Sequence, residues 1–188
     1  MLFYASTIVF TTFFAYVAQR SKAISWSIQH TLKFNRNLLY FLSFFILFIV
    51  TGFRKNVGVD YPAYTNLYIQ AVEGKELSFE PGFKLLNNFS VFVSDNPQLI
   101  FITSAILMLS FLYAAVIKQS KNPSLSIFLF CSMSFLFSSF NATRQFIAVA
   151  IILYGWRYLL QRNLICYMSL IGLATMFHRT ALILIPVY

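Results

Sequence analysis

The chain has 188 residues, of which 59% are hydrophobic, 19% are aromatic and only 10% are charged. A soluble domain is about 45–50% apolar and about 25% charged, so this composition excludes an ordinary water-soluble globule, and its aromatic content excludes a disordered chain. The two cysteines, Cys131 and Cys166, lie inside apolar runs and do not support a disulfide-stapled secreted domain. The net charge of +9 is scattered between apolar runs, which favours loops facing anionic lipid over a nucleic-acid surface. We therefore predict an all-α, polytopic transmembrane helical bundle.

Six apolar segments are predicted to be membrane helices, because a span needs about 20 mainly apolar residues. In chain order they are Met1–Gln19, Asn37–Phe53, Gln98–Ile117, Pro123–Phe140, Thr143–Leu160 and Asn163 to Phe177–His178. The first has its positive charges after the apolar run, which predicts a span and not a cleavable signal. A last apolar stretch, residues 181–188, either continues the sixth helix or begins a re-entrant piece. Together these segments predict a single integral membrane domain over residues 1–188, in a chain that continues beyond them.

The charged residues predict which connections share a side of the membrane. Three connections carry basic residues and no acidic ones: Arg20, Lys22, Lys33, Arg36, Lys118, Lys121, Arg157 and Arg162. Segment 54–97 instead holds all five acidic residues of the chain, together with four basic residues. By the positive-inside rule, the basic connections lie in the cytoplasm, whereas segment 54–97 and the N-terminus lie outside.

Segment 54–97 is longer and more aromatic than a plain linker. Residues 61–68 place three tyrosines at helical spacing after Asp60, which we predict to be an N-cap. A second helix is predicted to begin at Glu80-Pro81, because proline is tolerated in the first turn of a helix. The sequence therefore predicts two short amphipathic helices on the outer membrane surface.

Candidate functional residues occur in four short motifs, all on the predicted outer side. Arg54 follows the second span and offers a planar fork of donors suited to a phosphate group. Asp60 is a candidate general base or a partner of that arginine, and an interfacial Arg54–Asp60 pair is the alternative. Glu80 is a candidate base, or else simply part of a helix start in a surface loop.

Two further candidates lie at the ends of the fifth and sixth predicted spans. Arg144 occupies the first turn of an apolar helix, where the helix dipole disfavours a cation. An anion bound by Arg144 and the free backbone N–H groups would explain this position, and snorkelling to lipid headgroups is the alternative. His178 can transfer a proton near neutral pH, or it can be only an interfacial residue at a helix end.

Several enzyme classes lack their sequence signatures here. The chain contains no Walker-type glycine loop, no His-Glu-x-x-His, no zinc-spaced cysteine pair and no Gly-x-Ser-x-Gly. The sequence therefore does not favour an ATPase, a zinc protease or a serine hydrolase. No acidic residue occurs inside a predicted span, which is evidence against a proton-driven pump.

Five motifs follow one another in a fixed order along the chain. They are Gly52-Phe-Arg54, Val57-Gly58-Val59-Asp60-Tyr61-x-x-Tyr64, Glu80-Pro81-Gly82-Phe83, Asn141-x-x-Arg144-Gln145-x-x-Ala148 and Phe177-His178-Arg-Thr-Ala181. This pattern, from about residue 40 to residue 188, resembles the EpsG family of Wzy-like membrane polymerases of bacterial exopolysaccharide, capsule and O-antigen. The resemblance implies a helical glycosyltransferase that polymerises sugar repeat units carried on polyprenyl diphosphate, at the outer face of the bacterial cytoplasmic membrane. The chain would then be the N-terminal half of such a polymerase.

The resemblance also implies roles for individual residues. Arg54 and Arg144 would stabilise the diphosphate leaving group, and His178, or else Asp60 or Glu80, would accept the proton of the acceptor hydroxyl. Sugar contacts are expected from four residues: Tyr61, Tyr64, Asn141 and Gln145. No cofactor is expected, and Mg²⁺ held by Asp60 and Glu80 is the less favoured variant.

The expected partners are the polyprenyl-diphosphate-linked oligosaccharide, membrane lipids and other polysaccharide-assembly proteins, with no nucleic acid. Two other functions stay open from the sequence. One is a flippase or exporter of lipid-linked sugars, which would need cations in the middle of spans and not at their outer ends. The other is a non-catalytic membrane subunit of the same machinery, which would tolerate loss of Arg144 and His178.

Overall fold

The structure, a computed structural model, describes residues 2–21, 29–75 and 78–188, with the side chains of residues 29–35 excepted. Within these ranges all regular structure is helical, which confirms the predicted all-α class. The elements are α1 Leu2–Ser21, α2 Gln29–Gly52, α3 Tyr61–Val72, α4 Pro81–Val93, α5 Gln98–Gln119, α6 Pro123–Ser132, α7 Phe135–Asn141, α8 Thr143–Leu160, α9 Leu164–Thr175 and a 3-10 helix Arg179–Val187. Lys22 and Glu76, which contributed to the predicted topology, lie outside the described residues, and so does the side chain of Lys33.

A helix lies at each of the six positions predicted for spans, but length and hydropathy support fewer crossings. Among the described residues, two helices, α1 and α5, are long and apolar enough to cross a membrane. The number rises to three if α6 and α7 together form one broken span. The part of α2 from Arg36 to Gly52, and α9, are shorter apolar helices. The count of six crossings therefore stays a prediction.

The fourth predicted span is broken into two helices. α6 ends at Ser132, α7 begins at Phe135, and the two helices are bent by 55°. Ser134 between them has a φ of 64°, a left-handed conformation that interrupts an α-helix. The prediction of one continuous helix was wrong because a residue with this left-handed backbone cannot continue the hydrogen-bond ladder of an α-helix.

The long helices pack side by side in the order α6, α1, α2, α5, α8, α9. Small residues of α1, including Ala15 and Ala18, are fully buried, so the neighbouring backbones approach closely. A buried hydroxyl network also joins three helices. Ser43 Oγ of α2 donates to the Thr11 carbonyl of α1 at 2.9 Å and lies 2.8 Å from the Tyr113 hydroxyl of α5. These bonds satisfy polar groups that would be costly in apolar surroundings.

One end of the bundle carries the connection between α2 and α5, and we call it the loop end. There Gln98 Nε2, at the start of α5, donates to the carbonyls of Gly52 and Arg54 at 2.7 and 3.2 Å. These bonds hold the end of α2 beside the start of α5. The start of α1 reaches the same end, where the ring centroids of Tyr4 and Phe137 are 5.0 Å apart.

The opposite end carries most of the basic connections, and we call it the basic end. Ser124 Oγ, at the start of α6, donates to the Gln19 amide oxygen of α1 at 2.9 Å. Gln119 Nε2, at the end of α5, donates to the Leu153 carbonyl of α8 at 3.0 Å. The basic residues at or next to these helix ends include Arg20, Lys118, Lys121, Arg157 and Arg162. The predicted segregation of charge between the two ends is therefore present in the fold.

The loop end is covered by α3 and α4, the two short helices predicted from the sequence. The inward face of α3 consists of three buried tyrosines, Tyr61, Tyr64 and Tyr68. α4 is joined to α5 by a bond of 2.9 Å between the hydroxyls of Ser90 and Thr103. Asp60 does precede α3, but its side chain makes no capping hydrogen bond. Asp60 therefore holds the predicted N-cap position, but its φ and ψ of −83° and −2° are helical, whereas a residue that caps through its side chain normally has an extended backbone.

Candidate functional site

Three side chains from different parts of the chain meet at the loop end, and we call them the Glu80 cluster. Arg144 Nη1, in the first turn of α8, donates to Glu80 Oε2 at 2.6 Å. His178 Nδ1, after α9, lies 3.8 Å from Glu80 Oε1, which is too long for a hydrogen bond. A single carboxylate therefore lies between a permanent cation and an imidazole.

A glycine brings the carboxylate close to the imidazole. The N–H of Gly82, in the first turn of α4, donates to the Met176 carbonyl next to the end of α9 at 2.7 Å. A Cβ added to Gly82 would lie 2.7 Å from this carbonyl oxygen, so a larger residue could not fit without moving the backbone. Glu80 is two residues before Gly82 and His178 is two residues after Met176. This backbone contact therefore sets the distance between the two side chains.

The neighbours of Glu80 stabilise its charged form. Burial by itself would raise the pKa of this carboxyl group, but a hydrogen bond from its own backbone N–H, the Arg144 guanidinium and His178 together lower the pKa below its ordinary value. Glu80 is thus an ionised carboxylate at neutral pH and a weak proton acceptor. Within the cluster, His178 is better suited to accept a proton, while Glu80 is suited to orient its two neighbours.

The cluster contains two nitrogen atoms without a hydrogen-bond partner. Arg144 Nε and His178 Nδ1 are both buried and unpaired within the described part of the chain. The Arg144 guanidinium also lies over aromatic rings, with Cζ at 4.6 Å from the Phe79 ring centroid and 5.8 Å from that of Phe83. Buried polar atoms normally have a partner, so these two atoms show that the hydrogen bonding of the cluster is incomplete.

A cavity of about 450 Å³ opens beside the cluster. It is lined by Ser78, Phe79, Glu80, Arg144 and Arg179. The lining includes two arginines and one carboxylate, so its formal charge favours an anion. The volume is within the range of about 300–1,000 Å³ that is typical of small-ligand sites. The arrangement can bind an anionic group at Arg144 with an imidazole close by.

Arg54 lies in a different environment, behind the start of α8. Its side chain is buried, with 6% of the residue exposed. Nη2 donates to Thr143 Oγ1 at 3.1 Å, and Cζ lies 5.0 Å from the Phe101 ring centroid and 4.8 Å from that of Phe140. Nε and Nη1 are buried without a hydrogen-bond partner among the described residues. Arg54 thus joins the end of α2 to α5 and to the break between α7 and α8.

The predicted Arg54–Asp60 pair is not a direct one, because no described carboxylate lies within 4.0 Å of the guanidinium. Burial lowers the pKa of Arg54 to about 10, while Tyr64, Tyr61 and Asp60 act in the opposite direction at longer range. Arg54 therefore stays protonated at neutral pH. No group of three or more His, Cys, Asp or Glu side chains that could hold a metal occurs within the described ranges.

Asn141 holds the loop that follows Arg54. Its Oδ1 accepts a hydrogen bond from the Val59 N–H at 2.7 Å. The neighbouring Gly58 has a φ of +100°, and a Cβ there would lie 2.9 Å from the Phe140 carbonyl oxygen. Only glycine combines this left-handed backbone with such a close approach. The side-chain oxygen of Asn141 is thus hydrogen-bonded to the protein backbone.

The other expected sugar-binding residues differ in exposure. Tyr61 and Tyr64 are 9% and 7% exposed. The Tyr61 ring stacks on Phe101 with centroids 4.5 Å apart, and the Tyr64 ring packs edge-on against Phe83 at 5.6 Å. Gln145, on the first turn of α8, is exposed. Stacking of the two tyrosines on sugar rings would require α3 to move, and sugar contact by these residues stays a prediction.

Three features of the site were not recognised in the sequence. They are the Gly82–Met176 contact, the Thr143 bond to Arg54 and the Phe79 ring under Arg144. Arg179 follows His178 in a selected motif and does line the cavity. Thr143 is an unassigned position inside the Asn141–Arg144 motif, and Phe79 directly precedes the Glu80 motif, so closer attention to the neighbours of the selected residues would have included both. The Gly82–Met176 contact joins residues far apart in sequence, and a single sequence carries no signal for it.

The fold and the site define an all-helical protein with a charged cluster at one end of an apolar bundle. The chain belongs to the EpsG family, whose family model matches residues 37–188. This match confirms the family expected from the five motifs, and it covers the Glu80 cluster and Arg54. Comparison with curated proteins gave no match, and comparison with solved structures also gave none.

Proposed function

We propose that this chain is part of the catalytic machinery of a membrane polysaccharide polymerase. It would join sugar repeat units carried on polyprenyl diphosphate during synthesis of exopolysaccharide, capsule or O-antigen. Membership of the EpsG family supports this class of function. The observation that carries the proposal is the Glu80 cluster, in which a cation suited to a phosphate and an imidazole suited to proton transfer lie on two sides of one carboxylate.

The proposed reaction is a glycosyl transfer. A hydroxyl oxygen of the acceptor sugar forms a bond to the anomeric carbon of the donor. The bond from that carbon to the diphosphate oxygen breaks, and its electron pair stays on the diphosphate. His178 accepts the hydroxyl proton through Nε2, on the far side of the ring from Glu80. Arg144 stabilises the negative charge that grows on the leaving group.

Arg144 and Arg54 have different roles in the proposed reaction. Arg144 lines the cavity and is the direct ligand of the diphosphate. Arg54 lies behind Thr143 and acts through its charge and by holding the start of α8. Arg179 lies at the cavity and gives a second cation for an extended anion. Asp60 is proposed as an electrostatic partner of Arg54, since it favours the charged form of that guanidinium.

We further propose that the bundle lies in the bacterial cytoplasmic membrane with six crossings, the loop end outside and the N-terminus outside. The asymmetry of charge between the two ends supports this orientation. The test uses single cysteines in a background where Cys131 and Cys166 are serine. Ser78→Cys at the loop end should react with an impermeant maleimide on intact cells, whereas Gln161→Cys at the basic end should react only after lysis. The opposite labelling pattern contradicts the orientation.

The proposed activity is tested with the chain in lipid vesicles supplied with a polyprenyl-diphosphate-linked repeat unit. Formation of longer lipid-linked chains, separated by gel electrophoresis, is the expected result. His178→Gln should reduce the elongation rate by about 100-fold or more, the usual contribution of a general base. Elongation by His178→Gln at the wild-type rate would exclude His178 as the base, and a wild-type rate in His178→Gln and Arg144→Ala alike would indicate a non-catalytic subunit.

A further inference from the structure

One carboxylate in the Glu80 cluster faces two possible partners and is bonded to only one. Glu80 Oε2 accepts a hydrogen bond from Arg144 Nη1 at 2.6 Å, whereas Oε1 lies 3.8 Å from His178 Nδ1. His178 Nδ1 and Arg144 Nε are both buried and unpaired in the described part of the chain. Leaving a buried polar nitrogen unpaired costs free energy. The arrangement is therefore incomplete at two atoms on either side of the same carboxylate.

A bound anion at Arg144 would compete with this carboxylate. A diphosphate carries more negative charge than Glu80, and it offers several oxygens to a guanidinium fork. A carboxylate and a diphosphate that contact the same guanidinium repel each other, so the bound diphosphate weakens the pair between Glu80 and Arg144. Of the described basic side chains, Arg144 and His178 each lie within 4.0 Å of the Glu80 carboxylate, so His178 Nδ1 is a nearby basic group that Glu80 can bond to when Arg144 binds the anion.

We propose that Glu80 exchanges partners during the reaction: it pairs with Arg144 before the donor binds, and it bonds to His178 Nδ1 once the donor diphosphate occupies Arg144. This inference rests on the proposed function, because it takes the diphosphate as the ligand of Arg144. A single exchange satisfies both unpaired atoms. The diphosphate supplies acceptors for the Arg144 nitrogens, and the carboxylate accepts the Nδ1–H of the imidazole.

The exchange needs only a movement of the Glu80 side chain. The backbone on one side is fixed by the Gly82 N–H bond to the Met176 carbonyl at 2.7 Å. The backbone on the other side is fixed by the His178 N–H bond to the Ala174 carbonyl at 3.0 Å. A change in the side-chain torsions of Glu80 is therefore sufficient to close a gap of 3.8 Å to hydrogen-bond distance.

The exchange makes the reaction ordered, because binding of the donor diphosphate brings His178 into the form that acts as the base. A carboxylate that accepts the Nδ1–H of an imidazole holds the ring in the tautomer with a free Nε2, which is the form that accepts a proton. Glu80 is thus a positioning residue that acts through His178. The acceptor hydroxyl is deprotonated efficiently only when a donor diphosphate is already bound.

The first test follows the His178 ring nitrogens by ¹⁵N NMR in the full chain, held in lipid nanodiscs without divalent metal. The chain has only two histidines, so His30 serves as an internal reference and His30→Gln assigns the signals. Addition of inorganic pyrophosphate should move His178 towards the tautomer protonated at Nδ1. No change in the His178 signals while pyrophosphate is bound would overturn the exchange.

The second test uses Glu80→Gln, which keeps the shape of the side chain and removes its charge. This variant should bind pyrophosphate about three- to tenfold more tightly than the wild type, because the competing anion is gone. Its elongation rate should nevertheless fall by about tenfold or more, and pyrophosphate should leave its His178 tautomer unchanged. Pyrophosphate binding that is unchanged or weaker than in the wild type would overturn the exchange.

A third variant separates failure of the exchange from failure of the proposed function. Arg144→Ala should lose most pyrophosphate binding. If Arg144→Ala binds poorly but Glu80→Gln binds no more tightly than the wild type, the exchange is wrong and the diphosphate site stands. If Arg144→Ala binds pyrophosphate as well as the wild type, the assignment of the diphosphate to Arg144 is wrong, and the exchange is overturned with it.

Discussion

Arg54 and Arg144 lie at the same end of the bundle but in opposite environments. Arg54 is almost fully buried between the rings of Phe101 and Phe140, and among the described residues its guanidinium donates to the hydroxyl of Thr143. Arg144 is partly exposed, pairs with a carboxylate and lines a polar cavity. The sequence assigned both arginines to one phosphate site. The difference shows that accessibility and the kind of partner decide which cation can meet a substrate.

The environments also predict different costs of mutation. A buried cation without a carboxylate partner depends on its neighbours to offset the loss of hydration, so changing it affects folding first. A partly exposed ion pair contributes about 1 kcal/mol or less to stability, so changing it affects binding first. The predictions below test this division between a stabilising arginine and a ligand-binding arginine.

The largest effect is expected for Arg144→Ala. We expect elongation of lipid-linked chains to fall by about 100-fold or more, because a preorganised cation at the leaving group is removed. The melting temperature should change less than the rate, since the substitution removes a partly exposed ion pair and the packing of the guanidinium on Phe79. Gel analysis of the products and thermal unfolding in detergent measure the two quantities. Arg144→Lys is the control, and it should retain partial activity because it keeps the charge and loses the planar fork.

The next effect concerns the contact that holds the Glu80 cluster together. Gly82→Ala would place a Cβ 2.7 Å from the Met176 carbonyl oxygen, so α4 and α9 must separate. We expect a loss of about 2–4 kcal/mol in the free energy of unfolding, from overpacking and a lost hydrogen bond. Gly172→Ala in α9 is the matched control, because no described atom outside its own stretch of helix lies within 4 Å of the added Cβ. Equal stability of the two variants would contradict the role of the Gly82 contact.

Arg54→Lys tests whether the buried arginine stabilises the fold and does not bind the substrate directly. The lysine keeps the charge, but it loses the bond to Thr143 and the planar packing between two rings. We expect a loss of about 1–3 kcal/mol in the free energy of unfolding. The elongation rate per folded molecule should fall by less than about tenfold. A variant with wild-type stability and an activity as low as that of Arg144→Ala would show that Arg54 contacts the substrate directly.

The smallest expected effect is a dependence of stability on pH. The pKa of Glu80 is lowered in the fold, so its stabilising contribution is present above the unfolded pKa of about 4.3 and is lost as the pH falls through the lower folded value. Thermal unfolding between pH 3 and pH 7 should show this loss in the wild type. Glu80→Gln should lack that part of the pH dependence. Parallel curves for the two proteins over this range would contradict the charge assigned to Glu80.

Much of the helical architecture could be predicted from the sequence because apolar runs and turn residues encode it locally. The starts of α4 and α6 at Pro81 and Pro123 were expected within a residue, since proline in a first turn marks a helix start. The break at Ser134 was missed because hydropathy does not report a left-handed residue inside an apolar run.

The candidate site could be predicted in composition but not in arrangement. Glu80, Arg144 and His178 were each selected as isolated polar residues near apolar helix ends. The position of one carboxylate between the other two side chains depends on the contact between Gly82 and Met176, which no local pattern encodes. The burial of Tyr61, Tyr64 and Arg54 depends in the same way on Phe101 and Phe83, which belong to other helices. The residue types thus indicated the chemistry of the site. Tertiary packing determines which of these residues stabilise the fold and which can bind a ligand.

The most direct test of this division is equilibrium binding of farnesyl diphosphate to two matched variants, Arg144→Lys and Arg54→Lys, measured by calorimetry on folded protein in nanodiscs. Both substitutions keep one positive charge at the loop end, so they differ only in which arginine loses its fork of donors. We predict that Arg144→Lys weakens binding by about tenfold or more, whereas Arg54→Lys stays within about threefold of the wild type. The reverse order of affinities would contradict the assignment of Arg144, and not Arg54, as the arginine that binds the diphosphate.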